Sequence, residues 1–197
     1  MTEVLRTLSE IQATCTKATR GSGCPWGLAE EAGFAARILE AHGLPGAESV
    51  AALLKAPRAC ACTEGKGARA CGIAEMAALS DDLPAEKAEY GPVAAPGLLA
   101  VPCILDGSGW RVEWPGGVLE CGPDGVSLSG APMPTRADSV TITRTTMLKV
   151  TKAPDWRSRS VDSTAWAELE ELAALTYVPE TEASRVAGAG PDEADKD

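Results

Sequence analysis

The chain has 197 residues, 45% of them hydrophobic and only 4% aromatic, with a formal net charge of -10. That acidic balance disfavours nucleic acid, whose phosphates call for clustered Lys and Arg, and it equally disfavours an anionic membrane surface. No basic segment followed by an apolar one opens the chain, and no apolar run reaches the roughly 20 residues that span a bilayer, so a cytoplasmic protein is expected.

The length suits one domain. Its core must be built from Ala, Leu and Val, with five Trp as the large fillers; a buried indole N–H needs a partner. The seven cysteines, in a chain without an export signal, are read as free, reduced thiols.

The first helix is marked by Val4, Leu8, Ile11, Cys15 and Ala18, three and four residues apart. Ser9 followed by Gln12 reads as a capping box, so the helix starts at residue 3 or at residue 9; the later start is preferred, with 4–8 extended before it. The glycines of Arg20–Gly23 break the pattern. Cys24 or Ser22 then caps a second helix, with Pro25 in its first position and a stripe of Leu28, Ala32, Ala35 and Leu39. His42 lies in its last turn, Gly43 is the expected left-handed residue, and Pro45 prevents continuation. A third helix is expected over Glu48–Lys55. Residues 56–72 read as an exposed loop, Ile73–Ser80 as a short helix, and "SDDLPAEKAEYG" as a solvated connection.

The apolar stretch 93–105 fits a strand or a helix equally well. From Trp110 the pattern alternates. Turns at 115–117 and 122–125 separate strands at Trp110–Trp114, Val118–Cys121 and Val126–Leu128, and Val140–Arg144 with Met147–Val150 supplies a further hairpin. A last helix runs over Ser163–Leu175, capped by Asp162 or Ser163, with Trp166, Leu169 and Leu172 or Ala173 inside. The order predicts an α+β fold: an N-terminal helical bundle, a central antiparallel β-meander and a C-terminal helix. We expect one domain over 1–190, divided into helices (1–56), loop and short helix (57–89), a mainly β part (90–152) and a C-terminal helix with a docking segment (163–190). Residues 191–197 form an acidic tail that adds little to folding, since so few apolar groups cannot offset the entropy of ordering it.

Cys60, Cys62 and Cys71 cluster, but three thiols at this spacing do not make a closed zinc site, so no metal and no cofactor is predicted. The only histidine, His42, stands where a helix C-terminus favours it, which suits a cap better than a catalytic base. No GxSxG, Walker A or GxGxxG pattern is present. Arg20, Gly21, Ser22 and Gly23 precede a helix start, where backbone N–H groups attract an anion; the same glycines also make a plain helical hairpin. Trp26 can plug that helix start or flank a ligand, and Glu30 and Glu31 complement the helix dipole. At the other end "TYVPETEASRVAGAG" joins Tyr177, Ser184 and Arg185 to spaced glycines. If this segment packs on the second helix, Arg20 and Arg185 face one pocket with Ser22 and Ser184, fit for a carboxylate or phosphate. Otherwise it covers a sheet edge or forms a homodimer contact.

The combination of "RGSGCPWGLAEEAG", "WPGG" and "TYVPETEASRVAGAG" resembles a bacterial family labelled a domain of unknown function, over nearly the whole chain. In that family the last motif runs on into Thr-Asp-Asn-Asp-like residues, whereas this chain has "GPDEADKD". The resemblance implies no particular reaction.

Two readings follow. In one, the protein binds a small anionic metabolite between the N-terminal helix start and the C-terminal segment; catalysis there would need Glu30 or Glu31 buried, since burial raises a carboxyl pKa toward neutrality. In the other, it is a non-catalytic accessory or assembly subunit, acting through a homodimer or another protein partner. Charges converging in a concave site favour the first.

Overall fold

Strand β1 (Glu3–Arg6) pairs antiparallel with β10 (Arg159–Asp162), Glu3 opposite Asp162 and Arg6 opposite Arg159. Each strand runs directly into a helix, so this ribbon sets α1 (Leu8–Gly21) beside α6 (Ser163–Ala174). The computed structural model describes residues 2–55, 70–146 and 153–177.

The capping box of α1 lies two residues earlier than the sequence pattern placed it. Thr7 Oγ1 accepts from Glu10 N–H, and the Glu10 carboxylate accepts from Thr7 N–H at 2.8 Å. Pairing with β10 fixes residues up to Arg6 as extended backbone, which leaves Thr7 as the cap. Leu8, Ile11, Cys15 and Ala18 are buried as expected.

Helix α2 (Trp26–Ala41) begins after Pro25 without a side-chain cap, and Gly43 takes the left-handed conformation that ends it. Helix α3 (Gly46–Lys55) follows at once. Alanine allows close packing here. Ala29, Ala32, Ala35 and Ala36 of α2 are fully buried. At Gly33 even a methyl group is too much: a Cβ there would run into the Thr16 side chain and the Gln12 carbonyl of α1.

After the short strand β2 (Ala70–Cys71) and α4 (Gly72–Asp81), the chain enters a five-stranded antiparallel sheet in the order β3-β9-β5-β6-β7. Its strands are β3 (Lys87–Tyr90), β5 (Trp110–Trp114), β6 (Gly117–Gly122), β7 (Gly125–Gly130) and β9 (Val140–Arg144). β3 corrects the expected solvated connection at 80–91. Its side chains are exposed or half-buried and bring no apolar stripe, yet its backbone pairs with β9 at the sheet edge, Lys87 opposite Thr143. Met147–Val150 lies outside the described residues.

The ambiguous apolar stretch is mainly helical. After β4 (Val93–Ala94), which pairs with β2 and β8 (Arg136–Ala137), it forms a 3-10 turn (Pro96–Leu99) and α5 (Ala100–Asp106). Ala95, at φ 53, is buried and donates to Thr135 O at 2.8 Å. Trp110 donates its indole N–H to Asp106, and Trp166 donates to Glu170, both at 2.6 Å. The buried side chains of the helices and of the sheet form one continuous cluster. The fold is α+β, with the antiparallel sheet and the C-terminal helix as anticipated. Among the described residues no helix is long and apolar enough to cross a membrane.

Two glycines of α2 separate the packing effect from helix propensity. Gly33→Ala should destabilise the fold by about 1–3 kcal/mol through overpacking. Gly27 has open space around its Cβ position, so Gly27→Ala should stabilise by about 0.5–1 kcal/mol. Urea unfolding of the two variants checks the opposite signs. A Gly33→Ala protein as stable as wild type contradicts the close approach of α1 and α2.

Candidate functional site

The loop from Arg20 to Cys24 is closed by its own hydrogen bonds. Arg20 donates to Cys24 O at 2.9 Å and Ser22 Oγ to Thr19 O at 2.7 Å. The N–H groups of Ser22, Gly23 and Cys24 donate to Ala18 O, Arg20 O and Thr19 O. Gly23 has φ 96, as the turn requires. Gly21 sits against the backbone of Leu172 in α6, where a Cβ would not fit. Trp26, Glu30 and Glu31 are exposed on α2, so the burial that a catalytic role for either glutamate requires is not there. Tyr177 lies beside α1, where Lys17 donates to its hydroxyl at 3.1 Å. Ser184 and Arg185, like Cys60 and Cys62, lie outside the described residues. Cys15, Cys103 and Cys121 are buried free thiols, and burial pushes the Cys103 thiol up to about 12. His42 ends α2 with its Nδ1 2.8 Å from Ile38 O, in the capping position.

The geometry draws attention to two places that the sequence did not. The first is the corner between α2 and α3. Glu40 is only 4% exposed. Its carboxylate accepts from Gly46 N–H at 2.9 Å and Ala47 N–H at 3.0 Å, the first two donors of α3. Loss of water pushes its carboxyl up to about 7, with Glu48 nearby adding to the rise, against the lowering effect of those two N–H bonds and of Arg159. On the other side of the corner Arg159 donates to Glu40 O at 2.6 Å and to Ala41 O at 3.0 Å. These carbonyls end α2, where Glu40 O also accepts from Gly43 N–H at 2.9 Å.

The second place is an open groove of about 630 Å³. One wall is the end of β1 and the first turn of α1, a second is Arg37 of α2, and the third is the segment 155–158 that leads into β10. Asp155 organises the last of these. It donates its N–H to Ala41 O at 2.6 Å. Its carboxylate takes Arg157 in a bidentate pair at 2.9 and 3.1 Å and also accepts from Arg159 at 3.2 Å. The Arg157 hydrogen bonds hold the Asp155 carboxyl far below the usual carboxylate range.

Arg37 is different. Its Nη1 donates to the side-chain oxygen of Gln12 at 3.0 Å and its guanidinium lies 5.8 Å from the Trp156 ring centroid. Its Nε is buried without a hydrogen-bond partner, and no carboxylate pairs with it among the described residues. Nothing in the sequence could flag this. The groove brings Arg37 together with residues more than a hundred positions away, and only the β1–β10 ribbon places them there.

Glu40 makes stability depend on pH in a definite direction. Its folded carboxyl lies above the ordinary value of 4.5, so bound proton favours the fold. That contribution is complete below about 4.5 and is lost as pH rises through about 7. Glu40→Gln keeps an oxygen for the two N–H groups and carries no charge. Relative to wild type it should gain stability between pH 5 and pH 9, by on the order of 3 kcal/mol at most. Thermal unfolding of both proteins across that range checks this, and a constant difference in stability contradicts it.

No curated protein and no solved structure matches the chain. Residues 6–69 match a family described as "Protein of unknown function (DUF3726)". The match bears out the resemblance to a family of unknown function on the N-terminal side of the chain, which holds "RGSGCPWGLAEEAG" and Arg37, while "WPGG" and the C-terminal motif lie beyond the matched residues.

Proposed function

We propose that the protein binds a small organic anion in the groove between the start of α1, Arg37 and the segment 155–158. The single observation that carries this reading is Arg37, a guanidinium with a buried Nε that has no partner and no carboxylate beside it among the described residues. A buried donor without a partner costs about 1–3 kcal/mol, and native structures keep few of them. A carboxylate or phosphate in the groove meets the charge of the guanidinium, and a shift of the Arg37 side chain toward it brings the buried Nε to the same anion. The groove has the size of a small-molecule site, for which about 300–1,000 Å³ is ordinary. This reading keeps the ligand class expected from the sequence. It moves the binding residue from Arg20, whose guanidinium closes its own loop, to Arg37.

A second reading, an accessory subunit that acts through protein contacts, is supported by Trp26 and Phe34, two exposed aromatic residues on one face of α2. Light scattering at rising concentration tests self-association through that face, which Trp26→Ser should weaken.

The anion reading is tested by titration calorimetry and thermal shift with acetate, larger carboxylates and inorganic phosphate. Arg37→Gln should fold normally and bind the effective anion about 10- to 100-fold more weakly, the loss of a charge-assisted bond. Arg20→Ala should bind as wild type does. Unchanged binding by Arg37→Gln would refute the assignment.

A further inference from the structure

The groove is not lined by charge alone. Trp156 is 53% exposed and Leu5 is 67% exposed, and both open onto it. A large apolar side chain left in water forgoes the stabilisation that burial would supply. Isolated exposed apolar residues are ordinary on a protein surface. Here, however, two of them border Arg37, which pairs with no carboxylate among the described residues, and they come from segments far apart in the chain. Trp156 is also held in place. Arg37 lies against its ring, and the neighbouring Asp155 is bound to Ala41 and, through its carboxylate, to Arg157 and Arg159. An indole fixed in this way offers apolar area with little further loss of side-chain entropy on binding.

The charges near Arg37 limit the anion. Arg157 is engaged by Asp155 through both of its forked nitrogens, and Arg159 is spent on Asp155 and on the last carbonyls of α2. One guanidinium, that of Arg37, therefore remains to meet a ligand. One planar fork matches one carboxylate. A dianionic phosphate would call for more unpaired positive charge than the groove offers.

We infer that the groove takes a monocarboxylate carrying an aromatic or branched apolar group, with the carboxylate on Arg37 and the apolar part over Trp156 and Leu5. This rests on the reading of the groove as an anion site and names the class of anion. The carboxylate supplies the counter-charge of the guanidinium. The apolar body covers surface that is otherwise wetted. The ligand is thus recognised at both ends, and a short acid such as acetate satisfies only one of them.

The test is calorimetric titration of the full-length protein with acetate, phenylacetate, phenylacetamide and inorganic phosphate. Phenylacetate should bind at least about tenfold more tightly than acetate, as expected for removing one ring from water. Phenylacetamide, which lacks the charge, should bind weakly and should not respond to Arg37→Gln. Trp156→Ala should reduce the advantage of phenylacetate over acetate to a few-fold, while Trp156→Phe, which keeps an aromatic surface, should retain most of it. Far-UV circular dichroism guards against reading a folding defect as a binding one. If acetate or phosphate binds through Arg37 as well as phenylacetate does, this inference falls and the anion site stands. If no anion binds, or if Arg37→Gln leaves phenylacetate binding intact, the anion site falls and this inference falls with it.

Discussion

Arg159 is the point at which the separate parts of this molecule are joined. Its guanidinium donates to Glu40 O, to Ala41 O and to Asp155. Those acceptors belong to the end of α2 and to the segment before β10. A helix C-terminus carries unpaired carbonyls and a partial negative charge, so a planar cation with several donors suits it in both respects. Because Arg159 also pairs with Arg6 across the β1–β10 ribbon, the same residue fixes the entry to α1. The wall of the groove that carries Trp156 stands on this anchor. Nothing in the apolar core holds Trp156 in place. Its position follows from hydrogen bonds made by the residues around it.

The helices are free to converge on that point because their contacts are made by small side chains. Gly33 faces α1 and Gly46 faces the backbone of Ala36, each with no space for a Cβ. Such packing brings the end of α2 and the start of α3 close enough for one carboxylate, Glu40, to reach the first N–H groups of α3. That arrangement removes a carboxylate from water. The penalty is partly offset by two backbone hydrogen bonds. The turn Gly43-Leu44-Pro45 has no side-chain oxygen with which to cap α3. The buried charge is therefore a consequence of a tight corner, and its raised pKa reflects how completely that corner excludes water.

These features differ in how far the sequence could disclose them. Periodicity marked α1, α2 and α6, because each buries one regular stripe. Turn chemistry marked the meander, where Gly116 and Gly125 adopt positive φ. The cap of α1 was misplaced because Thr7-Glu10 and Ser9-Gln12 both satisfy the local rule, and only a strand partner some 150 residues away chooses between them. β3 was missed because an edge strand needs little apolar content; its pairing is a property of the backbone. Glu40 and Arg37 were missed for a deeper reason. Their chemistry lies in what surrounds them, and those surroundings are assembled by tertiary contacts. Arg20 had the opposite history. Its neighbours in sequence looked like an anion nest, and in the fold its own loop consumes those donors.

The acidity of the chain and the proposed anion groove act over different distances. A net charge of -10 repels anions at long range, but at physiological ionic strength that field decays over about 8 Å. A ligand already in the groove meets the charges within a few ångströms of it. There the one carboxylate of the groove, Asp155, is already committed to Arg157 and Arg159, and Arg37 has none paired with it among the described residues. Solvent screens a partly buried guanidinium less than an exposed one, so its attraction survives where the surface repulsion has faded. The acidic surface can slow the approach of an anion and thereby reduce the association rate. How long the anion then stays is decided by the fork of Arg37 and by the indole beside it, whose attraction for an apolar group does not depend on net charge at all.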